Sequence, residues 1–358
     1  MVMKKLLALL LTVCMLSICL LSAGCSGGSG NGNETGKDSG TAATPAQSDE
    51  PTGTTGGNPV ESAEQTDAAT EPSTPTNPDF PAFDKTQPWD GINGCIEWYI
   101  NGDERSAYEI SDAYDFYGFS LLVNMSGMGK NVYYDPNYMV IYDTNGDGEL
   151  SDEAGYDEND RITIGDVFEK QEIILTGDID LNNQIWTPIG SCVSFRGFFN
   201  GQSHTIKNFR VTTETARHYS LKTFYYYGLF GALAYAAEAR DFTIENETLE
   251  VELAEDATNV YAGGAAAFLH YVGGGILADI TIKGVTIKLS GKVGGAGVYI
   301  GAIAGLHNNT QVQTNIHVTD YEFVDEHTDG DIHTQPDNFQ GGDGKFDLFT
   351  NCTVELKK

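Results

Sequence analysis

Two segments in the second half of the chain are near copies of each other: DFTIENETLEV at residues 241–251 and DITIKGVTIKL at residues 279–289. They share Asp, Thr, Ile and Thr at matching positions. A fainter copy, NIHVTDYEFV, begins at residue 315, so the three copies start 38 and 36 residues apart. A repeat of this length is typical of proteins that stack one small unit on the next.

The copies have the alternating pattern of β-strands with one buried face. In the second copy the alternation shifts once at Gly284, where we predict a corner. Lys283 and Lys288 fall at outward positions. The predicted inward-facing side chains are Ile280, Ile282, Val285, Ile287 and Leu289.

A glycine-rich strand that starts with tyrosine precedes each copy, and small residues such as Gly264 leave room where neighbouring turns crowd. These strands are YYGLFGAL from Tyr226, YAGGAAAF from Tyr261 and YIGAIAGL from Tyr299, with partial copies of the repeat at HTIKNFRV from His204 and NCTVEL from Asn351. Strand, corner and strand in recurring order predict an all-β parallel β-solenoid with a continuous core. No amphipathic helices alternate with these strands, which argues against a doubly wound fold or a TIM barrel.

The segments WTPIGSCVSFRGFFNGQSHTIKN at 186–208 and YGLFG at 227–231 resemble the GLUG-motif repeats of bacterial surface proteins and the segment that introduces them. Further matches lie upstream, so the resemblance covers most of residues 89–325. It implies a right-handed parallel β-helix on a secreted or surface protein, often linked with adhesion, and no known reaction. The residues that carry it include Trp186, Gly190, Gly197, Gly201, His204, Gly228, Leu229, Phe230 and Gly231.

We expect structural roles for these motif residues. Gly197 and Gly201 bracket Phe199, which can stack onto the next turn, and Trp186 would close the core. His204 heads a strand, where it can bond to backbone at a corner, and we favour this role over a catalytic one.

Residues 112–124 read as a short helix. Asp112 is a plausible N-cap, and an apolar face recurs at three- and four-residue steps. The face consists of Phe116, Phe119, Leu122 and Val123. Because a solenoid must cover its first open edge, we interpret this helix as an N-terminal cap.

The first residues resemble a bacterial lipoprotein signal: Lys4 and Lys5 precede an apolar run, and LSAGC follows it. This predicts a signal peptide at 1–24 and a lipid on Cys25, with an ordinary secretory signal as the weaker alternative. Residues 25–85, rich in Gly, Ser, Thr and Pro, predict a disordered tether before a β-helix domain at 86–358. The predicted location is the extracellular face of a bacterial cell membrane, with the lipid as anchor.

The chain is strongly acidic, with a formal net charge of −31 that becomes −33 when Lys4 and Lys5 leave with the signal. This charge argues against nucleic acid or anionic lipid as a partner. After the signal and Cys25, three cysteines remain: Cys95, Cys192 and Cys352. Their spacing leaves two alternatives open: one disulfide and one buried thiol, or three buried thiols.

An acidic loop is inserted at 125–166 and contains DTNGDGELSDEA at 143–154. Its pattern resembles an EF-hand loop, and calcium prefers such oxygen ligands. Position 12 is Ala154, where a bidentate carboxylate is usual, so we predict a weak site of about 0.1 to 1 mM affinity. The alternative is an acidic surface turn. The predicted ligand set is Asp143, Asn145, Asp147, Glu149, Ser151 and Glu153.

A second polar cluster, at 325–337, contains His327, Asp329, Asp331 and His333. Histidines among carboxylates can bind zinc. Nearby Gly and Pro make a flexible surface loop the favoured interpretation.

The residues favour a non-enzymatic, lipid-anchored binding or adhesion module whose glycan or protein ligand is unknown. Aromatic residues such as Tyr219 and the run 224–227 would offer contact surfaces, although we expect most of them in the core. A passive surface stalk is the alternative. A polysaccharide lyase or hydrolase using Asp178 and Asp180 is less favoured, because it rests on fold analogy.

Overall fold

A computed structural model describes residues 84–102, 107–126, 131–142, 149–163, 168–218, 221–270, 273–333, 339, 341 and 346–358. The predicted signal peptide, Cys25 and the tether up to residue 83 lie outside these ranges. None of the helices within the ranges is long and apolar enough to cross a membrane.

The described ranges contain short helices and many strands. The helices are α1 (Glu97–Ile100), α2 (Ala113–Met125) and α3 (Thr213–Ala216). The strands are β1 (Ala107–Ile110), β2 (Asn131–Tyr133), β3 (Arg161–Thr163), β4 (Glu172–Leu175), β5 (Ile179–Ile185), β6 (Phe198–Thr212), β7 (Phe224–Tyr227), β8 (Phe230–Leu233), β9 (Ala237–Leu253), β10 (Asn259–Gly263), β11 (Ala266–Leu269), β12 (Gly275–Lys283), β13 (Thr286–Gly291), β14 (Gly297–Gly301), β15 (Ala304–His307), β16 (Gln313–His327), β17 (Phe349–Thr350) and β18 (Thr353–Leu356).

The strands stack in parallel as a β-solenoid of about four turns, which confirms the predicted parallel β-helix. We call each turn a coil. One column of the stack runs through Ile206, Ile244, Ile282, Val318 and Val354, one residue from each successive coil. The repeats seen in the sequence therefore lie directly above one another. All five predicted inward-facing side chains of the second copy are at most 1% exposed, and Lys283 and Lys288 point to solvent.

The Asp and Asn positions of the repeat form corners with left-handed backbone. Asp241, Asp279, Asn315 and Asn351 have φ between 54° and 57°, a region that Asn, Asp and Gly adopt most easily. Gly284, with φ of 70°, is a corner as predicted. Asn315 donates to Asp279 over 2.8 Å and Asn351 to Asn315 over 2.7 Å, so these corners also bond along the stack.

The glycine-rich strands form arches whose tips point into the core. Each arch joins two strands: β7 to β8, β10 to β11, and β14 to β15. The tip residues Leu229, Ala265 and Ile303 are 0% exposed and belong to the main core. Strands of neighbouring coils touch here, because a Cβ on Gly305 would lie 2.5 Å from the backbone nitrogen of Ala262. The predicted crowding of small residues is therefore confirmed at this re-entrant arch.

Helix α2 covers the first coil, as predicted. The Asp112 side chain accepts the Asp115 N–H over 2.9 Å and caps the helix. Phe116 stacks on Trp186 with centroids 4.9 Å apart. The helix is buried on nearly every side rather than on one face, because backbone at Cys95 crosses Gly118 so closely that a Cβ there would overlap it.

The inserted segment is more than a loop. Its strands β2 and β3 pair antiparallel, and an isolated bridge joins Met139 to Cys95 beside the cap. Cys95, Cys192 and Cys352 form no disulfide with one another, so of the alternatives left open by their spacing the structure has the three thiols.

The close approach at the arch predicts the effect of adding one methyl group. Gly305→Ala should lower the free energy of unfolding by about 1–3 kcal/mol, because the new Cβ overlaps backbone that cannot move aside. Urea unfolding of residues 26–358 measures it. The control Gly295→Ala adds a Cβ that meets nothing within 4 Å and should change stability by less than about 0.5 kcal/mol. Equal effects of the two variants would contradict the re-entrant arch.

Candidate functional site

The outer sides of the two arms of the arches enclose a second hydrophobic cluster, separate from the main core. We call it the aromatic groove. Tyr226 and Tyr261 from the first arm meet Phe268 from the second arm. The groove is formed by Phe224, Tyr226, Ala232, Tyr261, Ala267, Phe268, Tyr299 and Leu306, with His333 at one end.

The aromatic rings of the first arm form a ladder along the solenoid axis. Tyr226, Tyr261 and Tyr299 are register partners, and His333 bridges to Tyr299 in the next coil. Their ring centroids are separated by 5.4, 5.5 and 4.8 Å, with planes 20°, 19° and 10° apart. Phe268 stacks on Tyr261 across the groove at 5.0 Å. Cross-strand aromatic pairs of this kind stabilise the sheet.

The ladder changes which part of each ring a ligand can reach. The ring faces cover one another, so the edges and hydroxyl groups are the parts left to contact a ligand. Tyr226 and Tyr261 are only 6% exposed, whereas Tyr299 is half-buried and His333 is exposed. The Tyr299 and His333 end is therefore the accessible end of the groove.

Two histidines flank the buried part of the groove. His218 lies 5.7 Å from the Tyr226 ring, and His270 lies 5.1 Å from the Phe268 ring. Burial lowers the pKa of His218 to about 4 and also lowers the pKa of His270. Both imidazoles are therefore neutral at neutral pH, and this surface suits apolar contact and neutral hydrogen bonds better than ion pairing.

The aromatic run at 224–227 divides between two environments. Tyr225 and Tyr227 lie in the main core, where the Tyr227 hydroxyl donates to Thr213 over 2.9 Å. Phe224 and Tyr226 face the groove instead. From the sequence we expected most of these rings in the core. The strict alternation along β7 is the signal that could have assigned every second ring to the other face. Tyr219 lies outside the described residues.

The motif residues of the resemblance serve packing. The Trp186 indole N–H donates to the Leu229 carbonyl at an arch tip over 3.1 Å, and Leu229 and Phe230 are fully buried. Phe199 packs edge-on against Phe230 and Phe242 of later coils, both at 5.4 Å. A Cβ on the motif glycines would approach neighbouring backbone closer than 3.0 Å; these are Gly190, Gly197, Gly201, Gly228 and Gly231.

Asp178 and His204 bond to each other between coils. The His204 Nδ1 lies 3.2 Å from Asp178 Oδ1, so its partner is a carboxylate rather than the backbone we expected. Asp178 also accepts the backbone N–H of Thr205 over 2.9 Å, which is the main reason that its pKa is lowered.

Asp180 has a similar structural role. Partial burial would raise its pKa, but hydrogen bonds from the Asn208 side chain and the Asn182 N–H, both 2.9 Å, outweigh burial and the pKa is lowered. Asp178 and Asp180 therefore each hold one coil to the next.

The first half of the predicted calcium loop, with Asp143, Asn145 and Asp147, lies outside the described residues. Glu149 and Ser151 are exposed, and the chain continues in turns, with the Glu153 N–H donating to Leu150 over 3.0 Å. Across the described ranges, no group of three or more His, Cys, Asp or Glu side chains is arranged to hold a metal ion.

The histidines of the second polar cluster have different partners. His327 ends β16, and its Nδ1 lies 2.5 Å from Asp325. His333 stacks on Tyr299 in the aromatic groove. The first three residues of the predicted surface loop, 325–327, are therefore strand.

Comparisons with protein-family models, curated proteins and solved structures found no match for this chain.

The ladder predicts a large effect of removing its central ring. Tyr261→Ala should lower the free energy of unfolding by about 3–5 kcal/mol, because it removes a buried ring that touches Tyr226, Tyr299 and Phe268. Tyr261→Phe keeps the ring and should change stability by less than about 1 kcal/mol. Urea unfolding compares the two, and a loss below about 1 kcal/mol for Tyr261→Ala would contradict the ladder.

Proposed function

We propose that this chain is a lipid-anchored extracellular surface protein and a non-enzymatic binding module that contacts its ligand at the accessible end of the aromatic groove. The observation that carries the proposal is the partly exposed Tyr299 with His333 stacked on it, at the edge of a buried aromatic ladder. A rigid scaffold that holds aromatic and hydrogen-bonding groups at its surface is typical of binding sites.

The chemistry of the groove favours a glycan or an uncharged protein segment. Ring edges and phenol groups offer apolar contact together with hydrogen bonds, and His218 and His270 are neutral where they flank the ladder. The net charge of −31 argues against nucleic acid as the ligand.

The surroundings of Asp178 and Asp180 support a role without catalysis. A carboxylate pair in a glycoside hydrolase needs one group that holds a proton near neutral pH. Here hydrogen bonds lower the pKa of both groups, and both carboxylates bond to the neighbouring coil.

Localisation and family also remain part of the proposal. The signal-like start and Cys25 support a lipid anchor on a bacterial cell membrane, and the tether would hold the solenoid away from the surface. Membership of the GLUG-motif family and a part in adhesion rest on the motifs at 186–208 and 227–231.

A binding screen tests the proposal. Residues 26–358 are applied to a glycan array and a panel of host extracellular proteins, and we expect one saturable ligand. Tyr299→Ala should weaken it at least about tenfold, because a central aromatic contact is lost. The control is Ile92→Ala, which removes an apolar side chain that is 65% exposed and does not belong to the aromatic groove. It should leave binding unchanged.

Two results would overturn the proposal. Failure to bind across both panels would favour a passive stalk. Release of unsaturated or shortened sugars from pectin, alginate or glycosaminoglycan, abolished by Asp178→Asn, would show an enzyme.

We also propose weak calcium binding by the inserted loop. The pattern at 143–154 supports it, and after Leu150 the chain continues in turns rather than in a regular helix. Calorimetry should show one site of about 0.1 to 1 mM that Asp143→Ala removes. Asp331→Ala, in the other acidic segment, should leave it unchanged. No heat and no thermal shift at millimolar calcium would contradict the site.

A further inference from the structure

Glu247 is a carboxylic acid inside the core of the solenoid. It is 1% exposed, and neither carboxyl oxygen has a hydrogen-bond partner within the described residues. Burying an ionised carboxylate without a partner is very unfavourable, so a group in this position keeps its proton.

The coils above and below place apolar or aromatic residues at the same position. Glu247 pairs in register with Phe209 of the preceding coil. Because Thr248 pairs with Thr286, the equivalent residue in the next coil is Val285. The middle coil alone among these three carries an acid, so the fold itself does not require one.

The carboxyl group faces the tip of the middle arch. A Cβ on Gly264 would lie 3.4 Å from Glu247 Oε2, which places that oxygen beside the tip. Backbone hydrogen bonds join this tip to the tip of the next arch: the Gly264 and Ala265 amides donate to the carbonyls of Ala302 and Ile303 over 3.3 and 2.9 Å. The arms of this arch carry Tyr261 and Phe268 of the aromatic groove.

Among the described residues, no hydrogen-bond partner or ion pair compensates an ionised Glu247. The buried titratable side chains on the surrounding elements are the phenols of Tyr225 and Tyr227 on β7 and of Tyr321 on β16, and the imidazole of His307 on β15. The charged side chains of β6, β12, β13 and β16 are on the outer face, where several pair with one another. The pairs, some with partners on neighbouring segments, are Lys207 with Asp180, Arg210 with Glu250, Lys283 with Glu245 and Lys357 with Glu322, and the exposed Asp279, Lys288, Asp320, Asp325 and Glu326 lie on the same outer face.

We propose that Glu247 is a proton-dependent latch on the middle arch: the tip at Gly264 and Ala265 stays closed while the carboxyl carries its proton, and opens when the proton leaves. An ionised group must reach water, and the arch tip at Gly264 is the backbone that lies against the carboxyl. The inference is independent of the proposed ligand, since every measurement below is made without one.

The direction of the pH dependence follows from burial. Burial raises the pKa of the Glu247 carboxyl well above its ordinary value of 4.5. Above pH 4.5 the opened chain therefore releases a proton that the closed chain retains, so rising pH favours opening. The stabilisation of the closed arch by the protonated carboxyl is complete below pH 4.5. It is lost as pH rises towards the pKa of Glu247 in the closed state.

Hydrogen exchange of residues 26–358 tests the latch. The exchange rates of the Gly264 and Ala265 amides are measured from pH 4 to 9 in the wild type and in Glu247→Gln, which keeps the shape without the titration. For each amide, the wild-type rate is divided by the rate in Glu247→Gln, which cancels the intrinsic pH dependence of exchange. We expect a ratio near one at pH 4 that rises by up to about tenfold per pH unit above 4.5.

The control is Glu252→Gln, which changes an exposed carboxyl on the same strand and should track the wild type. If Glu247→Gln does not fold, Glu247→Val takes its place, because Val285 occupies the equivalent position. A carbon-13 titration of the Glu247 carboxyl, assigned by its loss in the variant, should show a protonated group at pH 7. A flat exchange ratio or an ionised carboxyl at pH 7 overturns the proposal.

Discussion

Every part of this structure depends on successive coils keeping one register. Corners with left-handed backbone fix where each strand ends, and only a few residue types adopt that conformation at low cost. The corners at Asp241, Asp279 and Asn315 recur at the same point of each coil, and Asn315 bonds back to Asp279. Because the side-chain period of a strand is two, a slip of one residue would turn every buried side chain outward. The corner residues are therefore as important for the fold as the aliphatic core.

The aromatic groove follows from the same register. An arch whose tip enters the core must bring its two arms together on the outside, and small residues such as Gly305 allow the backbone to approach closely. On the outer side of the arms, large side chains such as Tyr261 and Phe268 pack against each other. Identical register then stacks Tyr226, Tyr261 and Tyr299 directly above one another. The groove is thus a consequence of arch geometry, with the tyrosines filling the space it creates.

The sequence predicted the parts of the fold that local periodicity controls. Ile280, Ile282 and Leu289 are buried as their alternation required, and Asp112 caps its helix. The direction of the arch tips could not be predicted, because a glycine-rich turn has the same pattern whether it points into the core or into solvent. The burial of α2 on nearly every side depends on the Cys95 backbone packing against Gly118, which leaves no periodic signal. Glu247 is different. It aligns with Val285 in the repeat, which predicts an inward position, but an acidic residue is normally expected on the outside.

The second arm shows how one scaffold can present different surfaces along its length. Ala232, Phe268 and Leu306 occupy equivalent positions on β8, β11 and β15, opposite the tyrosine ladder. A small, a large and an intermediate side chain therefore face successive rungs, and the groove is filled most completely at Phe268, where the stacking across it is closest. The corners and the core tolerate all three residues, since none of these positions contributes to either. The character of this surface is thus set by outward positions outside the main core, so the fold alone does not identify a function.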